Sequence, residues 1–221
     1  PPPAAEQRQP EPDSVRDASA RPKRRRLLPE DHLARAMEAK TAKSRANWAR
    51  KGLAFDALDP TTHAMLLRQL YLAQYAMGDF EKAYDLATQA LEHDVLPDVI
   101  HQDAARAKQA VGDVDGAVGH LRLAARVGPP SRRAFHHWTL GAGLFVAGRH
   151  EEASGALERA ARWGTTDSPL YQGHLALARA QAGRRVRGFA RLISRLEQSP
   201  SGQGYGRFVL GQLAFHSARY D

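Results

Sequence analysis

The ten histidines are the residues of this chain with the most chemistry open to them. Neutral imidazoles ligate zinc, and an imidazole held by a carboxylate can move protons. Their spacing offers little of either. His136 and His137 are adjacent, so on a helix they point about 100° apart and cannot easily share an ion. No Asp or Glu stands three or four residues after His101 or His137, and no His-Glu-x-x-His occurs. Cysteine is absent, which removes thiolate catalysis, disulfides and Cys-ligated zinc. Gly141-Ala-Gly143 lies inside a helical pattern with no strand before it, so it is not a nucleotide loop. No Ser-His-Asp or paired-carboxylate arrangement can be argued from spacing. The expectation is a chain without catalytic residues, metal or cofactor.

The second chemistry is charge. Formal net charge is +8 and the isoelectric point about 10.1. Lys23-Arg24-Arg25-Arg26 reads as a phosphate contact, a nuclear import signal, a juxtamembrane patch or a solvated charge run. Arg187, Arg191 and Arg195 recur at i, i+4 and i+8 on a helix expected over 186–198, with Arg184 and Arg185 just before it. No acid intervenes from Arg179 to Glu197. This surface could bind nucleic acid or an acidic partner. The alternative is a solvated face, with Arg195 laying its stem along a packing partner. A compositional bias toward Arg in an Ala- and Gly-rich chain would give the same charge with no ligand.

The elements that carry these residues follow from a repeated phrase. Tyr75-Ala-Met-Gly-Asp-Phe-Glu-Lys-Ala-Tyr-Asp-Leu-Ala-Thr-Gln-Ala-Leu91 reads as a helix end, a Gly-Asp turn and a second helix with small residues on one face. The turn returns at Gly112, Gly148 and Gly183, at intervals of 34, 36 and 35 (112−78, 148−112, 183−148). Units then begin at Ala64, Asp98, Ala134 and Pro169, with a truncated fifth from Gly204. In the first helices Leu70, Ala104, Leu140 and Leu175 correspond, as do Tyr71, Ala105, Gly141 and Ala176, where only Tyr71 is large. In the second helices Ala83, Ala117, Ala153 and Gly188 correspond, then Ala90, Ala124, Ala160 and Arg195, so the fourth unit is the least regular. Helix pairs are expected at about 63–77 and 80–93, 98–111 and 114–127, 132–147 and 150–163, and 169–182 and 186–198, with a last helix at 204–217. Thr61 or Thr62 is the expected cap of the first of these.

These residues resemble the tetratricopeptide repeat family. The resemblance implies an all-α fold, a right-handed α-solenoid of antiparallel helix pairs. Residues 61–221 would be the array, 30–60 a divergent first repeat or helical cap broken near 41–44, and 1–29 a disordered Pro-rich, basic linker. The chain begins with Pro and ends inside a unit, so it reads as a fragment of a longer, multidomain protein.

The resemblance also implies a use. In this family the first helices line a concave groove that binds a peptide or protein. Carried over by register, Leu72, Tyr75, Arg106, Phe135, Trp138, Phe145, Tyr205, Phe208 and Phe215 would line it. Rigid rings of this kind suit binding hot spots, although aromatic stripes at helical spacing also build cores. The chaperone-binding subclass is set aside, because Leu72, Asp103, Phe135 and Thr139 stand where its carboxylate clamp would be. His101 and His137 share a repeat position and could approach one another. The expected partner is a protein or peptide, with nucleic acid as the alternative. No apolar run is long enough to span a membrane, and the expected location is the cytoplasm.

Overall fold

The computed structural model describes residues 26–165 and 167–220. Residues 1–25, with Lys23, Arg24, Arg25 and most of the expected linker, lie outside the described residues. Eleven α-helices follow one another, with no strand among the described residues: α1 (Pro29–Glu38), α2 (Ala42–Leu53), α3 (Pro60–Ala76), α4 (Phe80–Leu91), α5 (Pro97–Ala110), α6 (Val114–Val127), α7 (Arg133–Val146), α8 (His150–Trp163), α9 (Ser168–Gln181), α10 (Phe189–Glu197) and α11 (Tyr205–Tyr220). Each packs on the next, in the right-handed solenoid of antiparallel pairs that the sequence implies.

The turn inside each unit is built the same way four times. Gly78, Gly112, Gly148 and Gly183 sit at φ between +73° and +84°, a conformation that a Cβ opposes. Each glycine amide donates to the carbonyl three residues back, and the next amide to the carbonyl five back, all at 2.9–3.1 Å. The carbonyls orphaned at the end of the first helix are thereby satisfied. In the first three units the residue after the glycine is the N-cap of the second helix. The Asp79 carboxylate accepts from the Lys82 amide at 3.3 Å and that of Asp113 from the Gly116 amide at 2.9 Å, so one Gly-Asp dipeptide closes one helix and caps the next. Asp59, rather than Thr61 or Thr62, caps α3, accepting from the Thr62 amide at 3.0 Å.

Small residues set the spacing. Ala83, Ala117 and Ala153 are buried, as are Ala90, Ala124 and Ala160, and a Cβ at Gly141 would meet Leu157 Cγ at 2.5 Å. Close backbone approach is why these positions are small. The core runs lengthwise in three clusters rather than forming one centre, as expected where each pair is covered only by its neighbours. Fully buried leucines such as Leu66, Leu157, Leu177 and Leu213 each contribute roughly 1.5–3 kcal/mol by leaving water. Tyr71 fills the place of a small residue because it reaches across to the next unit, its hydroxyl donating to the Asp103 carbonyl at 2.8 Å.

The fourth unit departs from the expected helix over 186–198. After Gly183, residues 184–188 form an irregular connector, and α10 begins only at Phe189. Gly188 is exposed at φ +78° before the helix and is not part of a contact face. Arg187 therefore stands in the connector, and only Arg191 and Arg195 share a helix.

Candidate partner-binding groove

The first helices of successive units are joined by polar contacts between residues roughly one period apart. Arg68 Nε donates to Asp103 Oδ2 at 2.6 Å, tying α3 to α5. Gln102 Nε2 lies 2.6 Å from Thr139 Oγ1 and 3.0 Å from His136 Nδ1, tying α5 to α7. Arg132, just before α7, binds the Asp98 carboxylate through two nitrogens at 2.7 and 3.0 Å. His136 Nε2 meets the same carboxylate at 2.7 Å.

Asp98 and His136 form the acid–imidazole half of a proton-transfer device, but they cannot use it. Nε2 donates to Asp98, so Nδ1 accepts from the Gln102 amide; both nitrogens are saturated and the ring is buried. Burial pushes the Asp98 pKa up, but the hydrogen bonds from Arg132 and His136 outweigh it and hold the carboxyl below its usual range. At Asp103 the balance reverses, and burial raises the pKa despite Arg68. Motif spacing does not single out these links between Asp98, Gln102, Arg132 and His136. The signal that finds them is complementary polarity at separations of 34–38 residues.

A second histidine cluster lies between α4, α5 and α6. His101 does not meet His137. It faces the second helix of its own unit, where its Nδ1 is 3.1 Å from His120 Nδ1, and His120 Nε2 is 3.3 Å from the Tyr84 hydroxyl. One arrangement satisfies all three groups: Tyr84 donates to His120 Nε2, and His120 Nδ1–H donates to His101. Burial lowers the pKa of both imidazoles, as do nearby positive charges. His137 instead lies against Trp163, ring centres 5.2 Å apart. Among the described residues no group of three or more His, Asp or Glu could hold a metal ion.

Between α5 and α7 there is an open cavity of about 550 Å³. Gln102, Arg106 and Gln109 form one side, Val114 and Leu121 of α6 the floor, and Trp138, Thr139, Ala142 and Val146 the other side. Tyr205 of α11 reaches it from two units away. The Trp138 and Tyr205 rings meet edge to face at 5.4 Å, and the row continues to Phe135 at 5.9 Å from Trp138 and Phe208 at 5.3 Å from Tyr205. Phe135 and Phe208 are 44% and 43% exposed, and Val146 is 71% exposed. Among the described residues Arg106 is the one cation lining this cavity, and Arg68, close by, is occupied by Asp103.

The other residues assigned to the groove from the sequence do not line this cavity. Leu72 and Tyr75 are half-buried against the first core cluster. Phe145 is half-buried between the rings of His150 and His174, at 5.1 and 5.0 Å. Phe215 is exposed near the far end of α11. In the fourth unit Leu170, Gly173, His174 and Leu177 are buried, because α11 packs on α9. Neither nitrogen of His174 is hydrogen-bonded among the described residues, and burial pushes its pKa down to about 4. The Tyr205 hydroxyl and Trp138 Nε1 are likewise buried without a partner among the described residues, and burial raises the Tyr205 pKa to about 12.

The arginines divide into paired and unpaired. Arg184 binds Glu151 at 2.6 Å, and Arg195 donates to Gln172 at 2.8 Å. Arg185, Arg187 and Arg191 are exposed.

No family model matches this sequence, and no curated protein does. Solved structures do match in shape. The MamA protein superposes with a TM-score of 0.59 at 15% identity, over 87% of this chain and 95% of that one. TTC0263, a thermophilic tetratricopeptide protein of Thermus thermophilus, gives 0.58 at 16% identity, over 85% and 97%. This chain has the tetratricopeptide-repeat fold. PlcR of Bacillus thuringiensis, solved in complex with the peptide PapR7 and DNA, shares it with a TM-score of 0.56 at 12% identity, over 87% of this chain and 74% of that one. No helix of this chain, among the described residues, is long and apolar enough to cross a membrane.

Proposed function

We propose that the chain is a non-catalytic interaction scaffold that holds a peptide segment of a protein partner in the groove between α5 and α7. The observation that carries this reading is the cavity of about 550 Å³ with an apolar, aromatic end wall at Trp138 and Tyr205. It is of a size for one bulky apolar side chain and its neighbours. Exposed rings next to a cavity of this kind supply contact area with little loss of side-chain freedom. The polar groups nearby are largely spoken for: His136 is saturated, and Asp103 and Thr139 are bonded across the units. Arg106 and Gln109 remain to orient a bound backbone or an acidic side chain. PlcR, with the same fold, is a case in which a peptide was bound.

The test is selection of peptides from a display library on the full chain, followed by affinity measurement with variants. Ala142→Glu and Val146→Glu place charge in the groove without touching the core, and their helicity and melting are expected to match the wild type. Loss of the selected peptides by tenfold or more in both variants is expected. Unchanged affinity in both would move the function away from this groove.

A further inference from the structure

We infer that the fourth unit carries a separate anion site, built by the connector 184–188 and the start of α10, that takes a phosphate group borne by a protein partner. In the three units before it, the second helix begins two residues after the turn glycine: Phe80 after Gly78, Val114 after Gly112, His150 after Gly148. In the fourth, Phe189 comes six residues after Gly183. The added stretch borders an open cavity of about 480 Å³, lined by Ala180, Arg184, Arg185, Val186, Arg187 and Phe189.

The connector is held in place. Phe189 is buried, and Val186 packs against the third core cluster. Anchors at Val186 and Phe189 leave Arg185 and Arg187 exposed on either side of the pinned valine, with Arg191 one turn into α10. Phosphate suits such a cluster, because guanidinium groups engage its oxygens in pairs. The amides of Arg185, Val186, Arg187 and Gly188 donate to no backbone acceptor among the described residues, so they remain free to join in.

The surrounding charges favour an anion. Residues 168–196 contain no acid. The nearest carboxylates are engaged: Glu151 by Arg184, Glu152 by Arg149 and Arg122, and Glu158 by Arg179. Among the described residues Arg185, Arg187 and Arg191 enter no ion pair. The cluster is short: Arg185 and Arg187 line one cavity, and Arg191 follows four residues later. It suits one doubly charged group better than a nucleic-acid backbone, which needs cations along several phosphates.

The experiment uses the full chain and fluorescence anisotropy with a degenerate peptide library carrying central phosphoserine, the same library with Ser or with Glu, and a single-stranded oligonucleotide. The phosphoserine library is expected to bind at least tenfold tighter than either peptide control, and inorganic phosphate is expected to compete. Arg185→Gln/Arg187→Gln is expected to abolish that preference, while Arg50→Gln, an exposed arginine of α2, leaves it. Thermal melting confirms that both variants fold. Equal binding of Glu and phosphoserine, tighter binding of the oligonucleotide, or a preference that survives the double substitution would each overturn the site. Ala142→Glu is expected to leave phosphoserine binding unchanged, so failure here and failure of the groove reading are distinguishable.

Discussion

The seam joining α3, α5 and α7 differs in kind from the seam joining α7, α9 and α11. The first is bolted by ions and amides: Arg68–Asp103, Gln102–Thr139, and Asp98 with Arg132 and His136. The second is filled mainly by rings and aliphatic groups, with Trp138 against Tyr205 and a fully buried His174 that makes no hydrogen bond among the described residues, and it carries one polar link, Gln181 Nε2 to His216 Nε2 at 3.3 Å. The polar seam leaves an open cavity beside it. The apolar seam buries most of α9. Directional bonds fix a spacing between helices without filling the space around them, whereas apolar packing stabilises only what it covers.

Removing a member of the polar seam should have the largest effect. Asp98→Ala strands the buried His136 and one end of Arg132, and is expected to lower stability by about 3–5 kcal/mol. A urea titration of both proteins checks this; a loss below about 1 kcal/mol would mean the seam is held by packing after all.

The pH response should separate the seams next. His174 has a folded pKa of about 4 against an ordinary 6.5. Its neutral form is favoured on folding, so its contribution is complete above pH 6.5 and is lost as pH falls toward 4. The loss over that window is about 3 kcal/mol. His174→Leu should remove this acid limb from the stability profile. Asp98 has a folded pKa below its ordinary 3.8, so its contribution is present above that ordinary value and is lost as pH falls through the lower folded one. Stability curves that coincide for wild type and His174→Leu between pH 4 and 6.5 would count against the difference.

The smallest expected effect tests the irregular fourth unit. Gly188→Ala forces a Cβ onto a residue at φ +78°, at about 1 kcal/mol. It should loosen α10 in hydrogen exchange without altering the groove.

Much of the fold was legible because its signals are local. The Gly-Asp turn and the alanines of the second helices marked the early units, and the helices at 114–127 and 150–163 fall where the pattern put them. The fourth unit misled because Gly183 keeps the period while the connector after it does not. Arginines four residues apart suit a helix, but nothing in that spacing reports that Gly188 starts the helix rather than lying within it. The groove was legible only in part. Arg106, Trp138 and Tyr205 line the cavity, whereas Leu72, Tyr75 and Phe145 are half-buried and do not line it. A ring on a first helix can turn to either side, and α11 approaches α9 closely at Gly173, where a Cβ would stand 3.2 Å from Val209 and Leu213.

The bolts between units also bear on how such an array can change over generations. Repeat arrays grow and shrink by duplication or loss of whole units, and that requires every interface to accept every other. Excising the second unit here would discard Asp98, Gln102 and Asp103 together, leaving Arg68, His136 and Thr139 facing partners that no longer answer them. The early units are thus bound to their order, and new copies are more readily tolerated where neighbours meet through rings and aliphatic side chains.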